Sequence, residues 1–180
     1  MKIKGPGYYK LLPRSVVVVS TISENGISNA APFSFNSPIS INPPIFGISC
    51  QPTHDTWRNI RENGEFVVNI VGQDFGPLMH ILEQDFPYGV SEIKEAGLTE
   101  EESKKVKPPR IKEAYAWFEC KMESSLEVGD HILIAGRVLE AEIRDEFFDK
   151  VVNVEKAEPL GHISGPFFVA GMEMRRFKRA

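Results

Sequence analysis

Residues 29–36 form a segment whose composition suits a ligand. The segment contains two alanines, which allow a flat molecule to approach the backbone closely. Pro32 has no amide hydrogen, so a strand that contains it leaves neighbouring amides and carbonyls free for the polar edge of a ring. An ordinary kinked edge strand would have the same composition, and on spacing alone this alternative stays open.

Residues 49–56 are typical of a strand that runs directly into a helix. The unpaired amides and the positive dipole end of a helix N-terminus favour an anion such as phosphate. The segment also supplies serine and threonine hydroxyls, and His54 adds charge when it is protonated. Simple capping by Thr53 or Asp55 is the alternative, and Asp55 would repel a phosphate unless its side chain turns away to cap the helix.

Together the two segments suggest a mononucleotide-type ligand, with one segment suited to the flat ring and the other to the phosphate. The four histidines show neither metal-ligand spacing nor a His-Glu-x-x-His motif, so no metal site is predicted. Rossmann, P-loop and Gly-x-Ser-x-Gly motifs are absent from the sequence. Cys50 and His54 have no third member of a nucleophilic triad, so packing is the preferred role of Cys50 and no catalytic residue is assigned.

The composition favours one cytoplasmic domain over residues 1–180. With 42% hydrophobic and 26% charged residues, the chain has material for one well-filled core. A net charge of −4 without a basic block argues against a nucleic-acid partner. No apolar run is long enough for a signal peptide or a membrane span, so no membrane partner is expected. Cys50 and Cys120 stand far apart and are expected to be reduced and partly buried.

Strand patterns dominate the chain. Residues 16–22 form a β-branched run that ends in a Glu-Asn-Gly turn, and residues 27–40 are expected to return antiparallel. Pro32 and Pro38 predict that this returning stretch is bent, bulged or on an edge. The other expected elements are strands at 45–50, 66–71, 116–126, 131–143 and 151–154, and helices at 53–63 and 75–82.

Residues 83–114 differ from the rest because charged clusters interrupt them and apolar residues become sparse. We therefore expect a charged excursion from the core. Many strands with short antiparallel links and few helices predict a mainly β fold, a barrel or a sandwich, rather than a βαβ sheet.

Several motifs occur in one particular order between residues 11 and 165. They are Leu12-Pro13-Arg14, residues 29–34, Pro43-Pro44, His54-Asp55-Thr56, Asn59-Ile60, and residues 65–70, 96–99, 109–111, 129–131 and 136–138. In this order they resemble the flavin reductase-like family of FMN-binding split barrels, which includes flavoredoxins and the reductase components of two-component monooxygenases.

The resemblance implies a mainly β fold, a six-stranded antiparallel Greek-key split barrel that dimerises and holds FMN near the subunit interface. It implies that His162, in a C-terminal segment similar to one near the flavin, is close to the cofactor. The residues implied to bind FMN are Asn29, Ala30, Ala31, Pro32, Phe33 and Ser34 along the isoalloxazine, Ser49 and Cys50 beside the ribityl chain, and Thr53, His54, Asp55 and Thr56 at the phosphate end.

For function, the resemblance implies an oxidoreductase, an NAD(P)H-dependent flavin reductase in which nicotinamide passes hydride to FMN. The cofactor carries this chemistry, so no acid–base residue is required. Two alternatives stay open: a flavoredoxin-like electron carrier with a protein redox partner, and a flavin-binding module without turnover. As a homodimer, the protein is expected to place residues 83–114 over the flavin of the neighbouring subunit.

Overall fold

The computed structural model describes residues 2–3 and 5–178. The α-helices are α1 (Asp55–Asn63), α2 (Met79–Leu82), α3 (Glu92–Glu95) and α4 (Val154–Ala157), and short 3-10 helices span Gly7–Leu11, Gln73–Leu78 and Asp145–Phe147. The strands are β1 (Arg14–Ser15), β2 (Val17–Ile22), β3 (Ser28–Phe33), β4 (Asn36–Ser40), β5 (Ile45–Cys50), β6 (Glu65–Ile70), β7 (Glu100–Glu101), β8 (Arg110–Ile111), β9 (Ala116–Val128), β10 (His131–Ile143), β11 (Phe148–Asp149), β12 (Val151–Val152), β13 (Gly161–Ser164) and β14 (Phe167–Val169).

The main sheet contains seven strands in the order β3-β2-β6-β9-β10-β5-β4. All neighbouring strands in it pair antiparallel, which confirms the mainly β, antiparallel prediction. The sheet has one strand more than the six that were expected. The reason lies in residues 27–40, because the chain turns at Ser34 and Phe35, so that β3 pairs with β2 and β4 pairs with β5 at the opposite edge. The expected bend and edge position of this stretch are confirmed.

Both faces of the sheet are buried near β2. Val16 and Val18 belong to a cluster that also holds Phe75, Ile93 and Trp117, whereas alternate residues of β2 face the interior of the curled sheet. Side chains alternate between the two faces of a strand, so an uninterrupted valine run is what a strand buried on both sides requires. The predicted strand over 16–22 is therefore central, and it carries the neighbouring β3 at a fixed position.

Gly136 lets the interior pack closely. A Cβ at this position would lie 2.3 Å from Cζ of Phe66, a fully buried ring in the interior cluster. The predicted hairpin between β9 and β10 is confirmed, with a turn at Gly129 and Asp130. This hairpin brings His131 to the end of β5, next to the strand end where α1 begins.

Residues 83–114 do not form an excursion from the core. Ile93, Val106, Ile111 and Ala114 are buried in the same cluster as β2, so the expectation was wrong on this point. The composition was misleading because the few apolar side chains are spaced to dock at separate places on the barrel. Among the described residues, no helix is both long enough and apolar enough to span a membrane.

Candidate functional site

A cavity of about 820 Å³ opens beside the ends of β3 and β5. Its volume lies in the range of small-molecule sites. One wall is β3 and the start of α1, and the facing wall is the strap, which we define as residues 83–90. The lining residues are Asn29, Ala31, Pro32, Phe33, Ser34, Phe35, Ser49, Gln51, Thr53, His54, Asp55, Thr56, Leu82, Glu83, Gln84, Asp85, Phe86, Tyr88, Glu92 and His131.

The cavity therefore brings together the two segments that the sequence marked as ligand-binding candidates. Ala30 and Cys50 are the exceptions among the predicted site residues. Ala30 is fully buried in the outer cluster, and Cys50 packs in the interior cluster at 1% exposure. Both side chains point away from the cavity because strand residues alternate between faces, so the structure does not support them as lining residues.

Asn29 is the centre of a buried hydrogen-bond network on the strand wall. Its Oδ1 accepts from the hydroxyls of Thr21 at 3.1 Å and Thr56 at 3.3 Å. Its Nδ2 donates to both carboxylate oxygens of Glu92 at 3.0 Å. The network joins β2, β3, α1 and α3, so the strand wall is fixed by partners on three other elements. A satisfied buried polar network of this kind rigidifies the region around it.

Helix α1 begins at Asp55, with His54 as the N-cap residue. The prediction that Thr53 or Asp55 caps this helix is wrong, because Asp55 lies within the first turn and no side chain donates or accepts a capping hydrogen bond. The helix ends at a C-cap glycine, Gly64, which has a φ of 73° in the left-handed region. The positive end of α1 thus faces the cavity without a side-chain cap, as an anion site requires.

The hydroxyl of Thr56 already makes a hydrogen bond within the strand wall. Thr56 is 1% exposed, and its hydroxyl donates to Asn29. A ligand at the helix end would therefore meet backbone amides of α1 and the more exposed side chain of Thr53, rather than the hydroxyl proton of Thr56.

Two histidines stand at the mouth of the cavity. Burial lowers the pKa of His54, and nearby His131 lowers it further, against the raising effects of Asp55 and Asp85. His131 Nδ1 lies 2.6 Å from Asp130 Oδ1, and its ring packs on Phe35 at a centroid distance of 5.4 Å. His54 is therefore mostly neutral at neutral pH, whereas an acidic partner orients His131.

The Cys50 thiol is inert in this setting. Burial raises its pKa to about 12, and its Sγ lies 3.8 Å from Nδ1 of His54. A thiol with this pKa supplies almost no thiolate at neutral pH, so the preferred packing role of Cys50 is consistent with the structure. Cys120 is also buried and free, and its pKa is likewise raised to about 12 by burial.

His162 lies next to the cavity wall without being part of the lining. Its Nε2 lies 3.1 Å from the carbonyl oxygen of Gly165, so this nitrogen carries the hydrogen in the neutral ring. Its Nδ1 then accepts from the hydroxyl of Ser34 at 3.3 Å, and Arg14 Nε donates to the same hydroxyl at 3.4 Å. His162 acts on the cavity through Ser34, and its predicted closeness to a flavin stays a prediction.

The charges around the cavity are mostly negative. Within the part of the chain that the structure describes, the lining includes four carboxylates and no lysine or arginine. Burial raises the pKa of Glu92, and burial also raises the pKa of Asp55, with Asp85 adding to the effect. No group of three or more histidine, cysteine or carboxylate side chains in the described residues is arranged to hold a metal ion.

Sequence reasoning missed the strap wall and His131. The missed lining residues are Phe35, Gln51, Leu82, Glu83, Gln84, Asp85, Phe86, Tyr88, Glu92 and His131. Phe35 and Gln51 lie within the candidate segments 29–36 and 49–56 but were not assigned to the cofactor, and His131 ends the Gly-Asp-His motif, so these three carried a local signal. The strap belongs to residues 83–114, which were expected over the flavin of the neighbouring subunit, whereas it lines the cavity of its own chain.

A comparison with family models matches residues 9–167 to the flavin reductase like domain. An uncharacterized protein of Aquifex aeolicus is 41% identical over 177 residues, covering 92% of this chain and 90% of its own. A flavin reductase of Pseudomonas putida is 30% identical over 136 residues, covering 74% of this chain and 75% of its own.

Solved structures share the fold. Nitrilotriacetate monooxygenase component B from Bacillus cereus matches with a TM-score of 0.90 at 28% identity, covering 98% of each chain. An FMN-binding protein from Thermus thermophilus matches with a TM-score of 0.81 at 23% identity, covering 99% of this chain and 97% of its own. The curled antiparallel sheet is thus the split barrel of flavin reductases, and the chain belongs to the flavin reductase-like family.

Proposed function

We propose that this protein binds FMN non-covalently in the cavity and acts as an NAD(P)H-dependent flavin reductase. The observation that carries the proposal is the convergence of the two candidate segments on one cavity of about 820 Å³. The strand wall offers a flat surface at Ala31 and Pro32, and the helix end of α1 lies at the other side. Membership of the family and the flavin reductase of Pseudomonas putida support the reductase activity.

FMN fits the hydrogen-bonding groups that line the cavity. When bound, FMN supplies the hydride-accepting chemistry, which explains why the cavity needs no nucleophile or metal. The β3 segment positions the flat ring through backbone groups around Pro32, and Phe35 and Phe86 exclude water from its surroundings. The N-terminus of α1, together with Thr53 and His54, receives the phosphate.

We also propose that the protein is a homodimer with flavin sites that depend on both subunits. The cavity lining lacks lysine and arginine in the described residues, so a second subunit is the natural source of positive charge. Strands β4, β9 and β10 expose Ile39 at 51%, Leu126 at 62% and Leu139 at 41%, and Ile41 beside them is 94% exposed. A partner subunit that covers these side chains would remove apolar surface from water.

Anaerobic rapid mixing of the FMN-loaded protein with NADH and with NADPH tests the proposed activity. We expect bleaching of the bound flavin by at least one of the two nucleotides at a rate that saturates with its concentration. Flavin that binds tightly but is not reduced by either nucleotide would contradict the reductase proposal and favour the electron-carrier alternative. Sedimentation equilibrium of the same preparation tests the dimer, and a monomer with full flavin affinity would overturn it.

A further inference from the structure

Glu92 is a buried carboxylate on the cavity wall, and no cationic side chain pairs with it in the part of the chain that the structure describes. The residue is 6% exposed, and its hydrogen-bond donors are the neutral Nδ2 of Asn29 and the backbone amide of Ala30, each at 3.0 Å. A buried ionised group held by neutral donors alone is costly, and such groups concentrate at functional sites. A carboxyl group protonated on Oε1 keeps Oε2 as the acceptor for Asn29 Nδ2 and the amide of Ala30, so these bonds do not require a charge.

Glu92 lies at the same end of the cavity as the N-terminus of α1. Asn29 connects the two, because it bonds to Glu92 with its amide nitrogen and to Thr56 of α1 with its amide oxygen. A ligand phosphate placed at this helix end would therefore sit in the field of Glu92. Like charges in a site with a low dielectric repel strongly, and one of the groups responds by taking up a proton.

The other charged groups that face Glu92 do not neutralise it. Asp55 on α1 and Asp85 on the strap are acidic, and Glu100 on β7 bonds to Ser28 beside the neighbouring Ser91. The basic groups of the helix end are His54 and Arg58, and both already interact with Asp55. The cluster therefore adds negative charge around Glu92, and burial raises its pKa in the empty protein.

We propose that Glu92 is a specificity-determining residue, whose carboxylate disfavours an anionic ligand when ionised and takes up one proton when a phosphate-bearing ligand enters. This inference rests on the proposed binding of FMN and adds to it a discrimination between ligands by charge. FMN affinity should fall as the pH rises, because binding then has to draw a proton from a more alkaline solution. Riboflavin, which lacks the phosphate, should bind with little proton uptake.

Isothermal titration calorimetry of the full chain tests the proposal with FMN and riboflavin as probes. Titrations at pH 8 in buffers of different ionisation enthalpy give the number of protons taken up per ligand. We expect uptake approaching about one proton for FMN and a value near zero for riboflavin, because one group changes its protonation state. The second ionisation of a phosphate monoester lies near pH 6, so at pH 8 the probe itself contributes little.

Glu92→Gln is the matching variant, with the exposed Glu127→Gln as control. At pH 8 we expect Glu92→Gln to raise the ratio of FMN to riboflavin affinity by about tenfold, the equivalent of one pKa unit. The difference between the affinity ratios of Glu92→Gln and the wild-type protein should disappear toward pH 5. Glu127→Gln should leave the ratio unchanged. A purely structural role would change both affinities together and leave the ratio constant. His54 and His131 remain in both proteins, so their titration cancels in the comparison.

FMN binding without proton uptake in the wild-type protein overturns this inference while it leaves the proposed function intact. Absence of FMN binding at every pH overturns both. Where Glu92→Gln fails to fold, FMN binding without proton uptake in the wild-type protein still overturns the inference.

Discussion

The strap, residues 83–90, and the later stretch 104–114 belong to one continuous segment, but different forces hold them on the barrel. In the later stretch, the backbone amides of Lys104 and Lys105 and the guanidinium of Arg110 all donate to the carboxylate of Glu119 on β9. Arg110 and Glu119 are almost completely buried. This later stretch is therefore held at the centre of the sheet by a buried ion pair.

The strap has much weaker anchors. Its backbone amides bond to nearby carbonyls, for example Glu83 to Met79 at 2.9 Å and Val90 to Pro87 at 3.1 Å. Its link to the barrel is Tyr88, whose hydroxyl donates to Asn59 Oδ1 at 3.1 Å and whose ring lies 3.7 Å from the guanidinium carbon of Arg58. The strap, which lines the cavity, therefore opens more easily than the later stretch, as expected for a segment that controls ligand access.

The largest effect is expected for Glu119→Ala. The substitution removes the acceptor of two lysine amides and of Arg110 Nε, and it leaves the buried guanidinium paired with Glu142 alone. We therefore expect a loss of about 3–5 kcal/mol in the free energy of unfolding. Urea denaturation measures this loss. Glu123→Ala is the control on the same strand, because Glu123 forms an exposed pair with Arg137, and we expect no resolvable change there. Equal effects of the two variants would show that the later stretch is not locked by Glu119.

A smaller and more local effect is expected for Tyr88→Ala. The loss of one hydrogen bond and of the contact with Arg58 should cost about 1–2 kcal/mol for strap opening. Limited proteolysis should then cleave within the strap about 5–30-fold faster, while the global unfolding transition moves less. Tyr88→Phe keeps the ring over Arg58, so its cleavage rate should lie between those of the wild-type protein and Tyr88→Ala. Cleavage first at another site would contradict the assignment of the strap as the most easily opened part of the wall.

The strand wall could be predicted from the sequence, and the strap could not. Pro32, the alanines before it and the strand-to-helix junction at Thr53 are local signals, because they act through the backbone of their own segment. The docking of the strap depends on partners such as Asn59, 29 positions away from Tyr88. The buried Glu92 was missed for the same reason, since its partner Asn29 is 63 positions distant and nothing in its own segment marks it.

The smallest effect is expected for Asp85→Asn, which removes one charge of the strap. Burial raises the pKa of Asp55, and the negative charge of Asp85 adds to this rise. Because the repulsion exists only while Asp55 is ionised, the variant should be more stable by about 0.3 kcal/mol at neutral pH, after screening by solvent. This gain should vanish as the pH falls and Asp55 becomes protonated, and it should shrink at high salt. Unfolding curves at several pH values check it, with the exposed Glu24→Gln as control.

The same linkage acts with the same sign on Glu92. Its pKa in the folded protein is raised, mainly by burial, so the folded chain binds this proton more tightly than the unfolded chain does. Stability should therefore fall as the pH rises from about 4.5, the ordinary pKa of the group, through its raised value. Glu92→Gln should lose this part of the pH dependence, and an unchanged pH profile in the variant would contradict the raised pKa.

Fluorescence titration of FMN against the apoprotein tests the central claim most directly, when it is combined with a variant that fills the cavity. Ala31 lines the strand wall, and Ala31→Trp would occupy the space proposed for the flat ring. We predict that FMN fluorescence is quenched by the wild-type protein and by the exposed control Glu24→Trp, and that Ala31→Trp weakens binding by at least about tenfold, or about 1.4 kcal/mol. Circular dichroism confirms that each variant is folded. Unchanged FMN affinity in a folded Ala31→Trp protein, or no quenching by the wild-type protein, would contradict the assignment of this cavity to FMN.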